Sequence, residues 1–205
     1  MSGARPVVVY SGRSDLTQHG AYESALMVRG IGPERPVRMV VNGAPPETVR
    51  AARRLLSQVA GRAVEVRAYS ADKQAQRELV RAADLVIVPA HAENVGMTAL
   101  DAIMADVPVL VPDTCGVGNF LVKSGRIDPR VAEHSVIRRA EGEAVAPIDR
   151  WVAELAAVVD DPRAARRRAA ELRGAVVAAL RTLQSAGQSA GDLIKSIMTV
   201  REEKR

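Results

Sequence analysis

The 205 residues carry 29 basic against 24 acidic side chains, a net charge of +5, and 47% of them are hydrophobic. That composition supports one sizeable core with a helical extension and leaves little room for two full domains. The single cysteine, Cys115, excludes an intramolecular disulfide framework and a Cys-rich zinc site, and five scattered aromatic residues exclude a base-stacking platform.

In chain order, residues 7–10 read as a strand, 21–29 as a helix, 37–41 as a strand and 47–59 as a helix. The rhythm continues with a strand at 64–69, a helix at 73–82, a strand at 85–88, a helix at 97–104 and strands at 107–111 and, more weakly, 135–137. The strand segments are β-branched and nearly continuous in apolar character, as strands covered on both faces require. Their alternation with helices predicts βαβ units. The expected fold is α/β, a doubly wound Rossmann-like parallel sheet of about six strands. Ser11-Gly12, Asn42-Gly43 and Pro45-Pro46 are expected to stop the first two strands, and Asp72 to cap the third helix.

From Pro147 onward helical patterns take over: 148–159, a break at Asp160-Asp161-Pro162, then an Ala/Arg/Leu stretch to Leu183. Asp161 and Pro162 form an N-cap and N1 pair. A small-residue linker at 185–191 and a short helix at 192–200 complete the reading. The chain thus divides into a Rossmann-like core at 1–146 and a helical extension at 147–205, packing on that core or on a partner. Trp151 is expected to pack, because Leu155 and Val159 share or flank its helix face. Arg163, Arg166, Arg167, Arg168 and Arg173 read first as a solvated helix face and second as a polyanion site. No apolar run reaches membrane-spanning length and the first six residues lack a secretory pattern, so a soluble cytoplasmic protein is expected.

In an open parallel sheet, ligands bind outside the carboxyl ends of the strands. The segments following each strand here are small, polar and Gly-rich: 11–15, 42–43, 70–72, 89–96 and 112–119. The fourth is the most suggestive. Glu93 precedes Gly96, which opens the helix carrying Asp101, and free amides at that helix start favour a phosphate. Asp101 can accept hydrogen bonds from a ribose diol, and Glu93 from sugar hydroxyls. The same spacing also fits an exposed acid before an ordinary helix. Cys115 has no base beside it in sequence and so no mark of a nucleophile.

The stretch from Ala83 to Leu110, with Pro89, Glu93, Gly96, Asp101 and Val107-Pro108-Val109, resembles the donor-binding half of retaining GT-B-fold glycosyltransferases of the glycosyltransferase 1 group. Gly12-Arg13 after the first strand and the late Val158-Val159-Asp160-Asp161-Pro162 match that family in order and spacing. The resemblance implies that Glu93 faces the donor hexose, Asp101 the ribose and Arg13 the diphosphate. It gives Glu93 and Arg13 the catalytic positions, with Gly12 and His19 in the phosphate-binding segment. Gly96 supplies the turn, and Gly116 and Val117 lie near the sugar phosphate. Neutralisation of the leaving diphosphate is the lever of this chemistry, and neither metal nor cofactor is implied beyond the nucleotide-diphosphate sugar.

The departures from the family are specific. Asp101 is one methylene shorter than the usual Glu, His19 stands near the place of a phosphate-binding Lys, and Asn119 replaces a common Glu. Only one of the two GT-B halves fits in this length, so the chain is expected either to work with a partner chain supplying the acceptor half or to be a fragment of such an enzyme, with homodimerisation as another use of the C-terminal helices. Two functions follow from different classes: a glycosyltransferase-type donor domain, and a catalytically inactive nucleotide-sugar-binding sensor or scaffold. Turnover separates them. Nucleic-acid binding through the Arg-rich helix is the third and least favoured reading, and predicts steep salt dependence.

Overall fold

Along the first strand Val8 and Tyr10 point to one side and Val9 to the other, and all three are buried. A sheet built on such a strand needs helices on both faces. The computed structural model of the protein describes residues 5–12, 20–89, 96–143 and 146–185. Within them, β1 (Val7–Ser11), β2 (Arg38–Ala44), β3 (Val64–Ala68), β4 (Leu85–Ile87), β5 (Val109–Pro112) and β6 (Val136–Ile137) form one sheet. Their order is β3-β2-β1-β4-β5-β6, with every pair parallel. This is the expected doubly wound, Rossmann-like arrangement.

The helices are α1 (Ala21–Gly30), α2 (Val49–Ala60), α3 (Lys73–Arg81), α4 (Met97–Met104), α5 (Gly116–Lys123), α6 (Pro129–Ala132), α7 (Ile148–Asp160) and α8 (Pro162–Ser185). One core gathers Val8, Tyr10, Met39, Val41, Leu85 and Ile87 under α1, α2 and α7. The opposite core gathers Val9, Val40, Val86, Val109 and Val111 under α4, α5 and the length of α8. Trp151 of α7 is 2% exposed, as a packing residue should be. Asp72 caps α3 through the amides of Gln74 and Ala75, and Asp161 accepts from Ala164 at the start of α8. None of the described helices is long and apolar enough to cross a membrane.

The structure departs from the sequence expectation at identifiable places. Asn42-Gly43 does not stop β2, which continues to Ala44 through a register shift between Asn42 and Ala44. The Asn42 amide is used laterally instead, donating to Ser11 Oγ at 3.2 Å on the neighbouring strand. The segment after β5 was expected to be an open Gly-rich loop, but Gly116 begins α5. Edge strand β3 alternates rather than being apolar throughout: Val64 and Val66 are buried while Glu65 faces away and pairs with Arg38 and Arg67. Charge on an edge strand discourages pairing with another sheet. The predicted helix at 192–200 lies outside the described residues.

The Arg-rich stretch of α8 is also more than a solvated face. Arg166 donates to the carbonyls of Ala83 and Asp106, and Arg173 pairs with Asp106 at 2.8 Å. These contacts fix α8 to the turns that precede β4 and β5.

Arg35, between α1 and β2, holds the end of α7 through a two-pronged pair with Asp160, at 2.8 Å (Nε–Oδ1) and 3.0 Å (Nη2–Oδ2). The hydrogen bonds from Arg35 hold the Asp160 carboxyl below its ordinary value. A carboxylate lowered in the native state contributes stability above the unfolded value, about pH 4, and loses that contribution as pH falls through the lowered native value. Wild type is therefore expected to have a higher urea midpoint than Asp160→Asn at pH 7. The gap should close as pH falls through the lowered native value, which paired denaturation curves will read.

Candidate functional site

The strand order reverses between β1 and β4, which lie side by side although α1 to α3 separate them in sequence. At such a switch point the loops leaving the two strands diverge and open a crevice at the carboxyl edge. The segments that leave β1 and β4 are 13–19 and 90–95. Arg13 and His19, which follow β1 in the sequence, and Glu93, which follows β4, all lie outside the described residues.

The described residues form the floor. Gly12 follows β1, and its amide donates to the Asn42 carbonyl at 3.0 Å. A Cβ on Gly12 would lie 2.8 Å from the Tyr10 hydroxyl, so a side chain here would have to displace that buried ring. Gly96 opens α4 in the left-handed region, φ 78° and ψ 46°, a conformation that glycine adopts without strain. Among the described residues, no side chain caps α4. Its first amides thus retain donor capacity at the positive end of the helix dipole. Thr98, in this first turn, directs its hydroxyl to the Ser11 carbonyl at 3.4 Å and ties the helix start to the end of β1.

The start of α5 lies against the same turn. A Cβ on Gly96 would be 3.4 Å from Val117 Cγ2 and 3.8 Å from Cys115 Sγ, so Gly96 and Val117 are neighbours, with Gly116 beside them in the chain. Cys115 is 1% exposed and caps α5 by accepting from the Gly118 amide at 3.3 Å. Burial pushes its thiol pKa up. A buried, protonated capping sulfur is no nucleophile. Nearby, Thr114 Oγ1 and Asn119 Oδ1 are buried without a hydrogen-bond partner among the described residues. Such oxygens are costly to leave unsatisfied.

Asp101 stands apart from this floor. It is half-buried in α4 and lines a groove with Arg77 and Arg81 of α3. The structure thus brings Gly12, Gly96, Gly116 and Val117 to the carboxyl edge and sets Asp101 on the flank. Sequence reasoning missed Thr98, because a lone threonine in a first turn carries no motif. It also missed Gly118, whose need for a bare α-carbon arises from a backbone that approaches only after folding. A cavity of about 490 Å³ lies elsewhere, along the β6 edge between α6 and α7. None of its lining residues comes from the crevice.

Comparison with known proteins agrees with this architecture. Residues 2–189 match a family described as family 4 glycosyltransferase in conflict systems. Among solved structures, the chain is similar to WaaG, a glycosyltransferase involved in lipopolysaccharide biosynthesis, at TM-score 0.62 and 20% identity. That match covers 84% of this chain and 43% of WaaG. The C-terminal domain of LpcC, a glycosyl transferase group 1 family protein from Francisella tularensis, matches at TM-score 0.61 and 17% identity, covering 84% of this chain and 85% of that one. A mutant of S. aureus TarM in complex with Fondaparinux, alpha-GlcNAc-glycerol and UDP matches at TM-score 0.62 and 12% identity, over 97% of this chain and 36% of TarM. No curated protein matches. The chain therefore has the fold of one GT-B half and spans less than half the length of WaaG.

Proposed function

We propose, from the premise that this chain belongs to the family 4 glycosyltransferases in conflict systems, that the crevice between β1 and β4 binds a nucleoside diphosphate sugar. The observation that carries the reading is the start of α4 at Gly96, which no side chain among the described residues caps and which is held against the first turn of α5. Two helix starts at one edge offer backbone donors to a diphosphate without a metal. The TarM complex contains UDP, the kind of ligand proposed here.

Each residue has a distinct task in this reading. Arg13 neutralises the diphosphate, and a fixed guanidinium suits that task better than a neutral histidine such as His19. Gly12, Gly96, Gly116 and Val117 provide close-approaching backbone, and Glu93 accepts from hydroxyls of the sugar. Asp101 accepts from the ribose. As the sugar departs, charge grows on the diphosphate, and cation and amides stabilise that charge more than the ground state. The acceptor is held by a second unit outside the described residues.

Titration calorimetry with uridine, guanosine and adenosine diphosphate sugars tests the site. Arg13→Ala and Glu93→Ala should each weaken binding roughly tenfold, a loss of about 1.4 kcal/mol, with stability within about 0.5 kcal/mol of wild type. Binding of no donor, or variants that bind as well as wild type, would remove the proposal. His19 and the shortened Asp101 favour a second reading, a module that binds donor but does not turn it over. Release of free nucleotide from a bound donor in the presence of acceptor unit excludes that reading.

A further inference from the structure

Beside the crevice, α3 and α4 leave an open groove of about 220 Å³ lined by Arg77, Arg81, Asp101, Met104 and Ala105. Arg77 and Arg81 are four residues apart on α3, so their side chains share one helix face. Both are exposed. Arg35, Arg38, Arg67, Arg139, Arg166 and Arg173 all engage carboxylates or carbonyls. Arg77 and Arg81 have no hydrogen-bond or ion-pair partner among the described residues, and neither does Asp101. The groove therefore holds two cations and one carboxylate that have not closed on each other.

That arrangement selects a chemistry. A carboxylate only accepts hydrogen bonds and so needs a hydroxyl, whereas guanidinium groups only donate and match a phosphate in geometry and charge. Asp101 is five residues beyond Gly96, about 7.5 Å along the helix at 1.5 Å per residue. This is the order of the span from a nucleotide's diphosphate to its ribose hydroxyls. A neutral ribose would satisfy Asp101 but leave both arginines without a ligand group. In dinucleotide sites the same pairing, an acid for a free ribose hydroxyl and an arginine for a phosphorylated one, separates two cofactor types.

We infer that the α3–α4 groove receives a ribose bearing its own phosphate, at the 2′ or 3′ position. The remaining hydroxyl donates to Asp101, and the phosphate accepts from Arg77 and Arg81. The inference rests on the proposed diphosphate site for the placement of the rest of the nucleotide, and it adds a class of ligand to that reading.

The test compares adenosine diphosphate with its 2′- and 3′-phosphorylated forms by titration calorimetry, on wild type and on the double variant Arg77→Ala/Arg81→Ala. Alanine is a strong helix former and both positions are exposed, so the variant keeps its fold, which circular dichroism will check. One of the phosphorylated forms should bind wild type roughly tenfold tighter than adenosine diphosphate, as one good charge-assisted contact gives. In the double variant that gain should fall below about twofold. No gain from either phosphate, or a gain that survives in the double variant, overturns the inference. If adenosine diphosphate itself does not bind, the crevice reading fails for that nucleotide, and adenosine 2′- and 3′-monophosphate then decide the groove alone. Binding of either that the double variant abolishes keeps the groove as a phosphate site; binding of neither overturns it.

Discussion

Gly118→Ala is expected to destabilise the protein by about 3 kcal/mol, although alanine normally favours a helix. An added Cβ would lie 3.0 Å from the Pro112 carbonyl carbon, closer still to its oxygen, and 3.3 Å from Val111 Cγ2. The first two obstacles are backbone at the end of β5, so no rotamer change relieves them. α5 must move outward, and with it the turn at Cys115–Val117 that supports Gly96. Urea denaturation should show the loss directly, and donor binding should weaken with it. Gly174→Ala is the matched control. That α8 position has no heavy atom within 4 Å of the added Cβ, and the change should stabilise by roughly 0.5–1 kcal/mol through helix propensity and unfolded-state entropy. Opposite signs for one chemical change on two helices distinguish close approach from intrinsic preference. A Gly118→Ala variant within about 0.5 kcal/mol of wild type would show that α5 yields without cost.

Trp151→Ala should cost about 4 kcal/mol, in the range for removing a large buried aromatic ring. Trp151 shares a core with strand residues and with α1, and α7 approaches α1 so closely that a Cβ on Gly30 would lie 2.6 Å from Val152 Cγ2. The cavity left by the ring cannot be filled by moving α7 inward, because that contact already limits the approach. A loss of this size is a large share of the roughly 5–15 kcal/mol of a typical domain. Thermal melting by circular dichroism is the suitable measurement, since this is the chain's only tryptophan. Trp151→Phe, which keeps most of the apolar volume, should retain most of the stability. Equal losses for Phe and Ala would point to the indole nitrogen rather than packing.

The parallel sheet was legible because β1, β2, β4 and β5 are short β-branched runs, each buried on both faces. The cap at Asp72 and the break at Asp161-Pro162 were legible because one side chain determines each of them. The beginning of α5 was not. Gly116-Val117-Gly118 has the composition of a turn, and only the nearness of Pro112 explains why glycine is required inside a helix. Asn42-Gly43 misled for a related reason: a turn signal next to a well-paired neighbour becomes a register shift instead. Strand order was also invisible locally, so the sequence could list the loops without showing that β1 and β4 lie side by side. The role of Asp101 depends most on tertiary context, since no one-dimensional pattern puts it opposite Arg77 and Arg81.

The short break at Asp161 sends α7 and α8 to opposite faces of the sheet, where Trp151 and Leu155 complete one core and Leu172, Val176 and Leu183 the other. During synthesis, part of each apolar face of the nascent sheet therefore stays uncovered until the last third of the chain leaves the ribosome. The polypeptide cannot finish either side early, and its earlier portion must be shielded from aggregation while it waits.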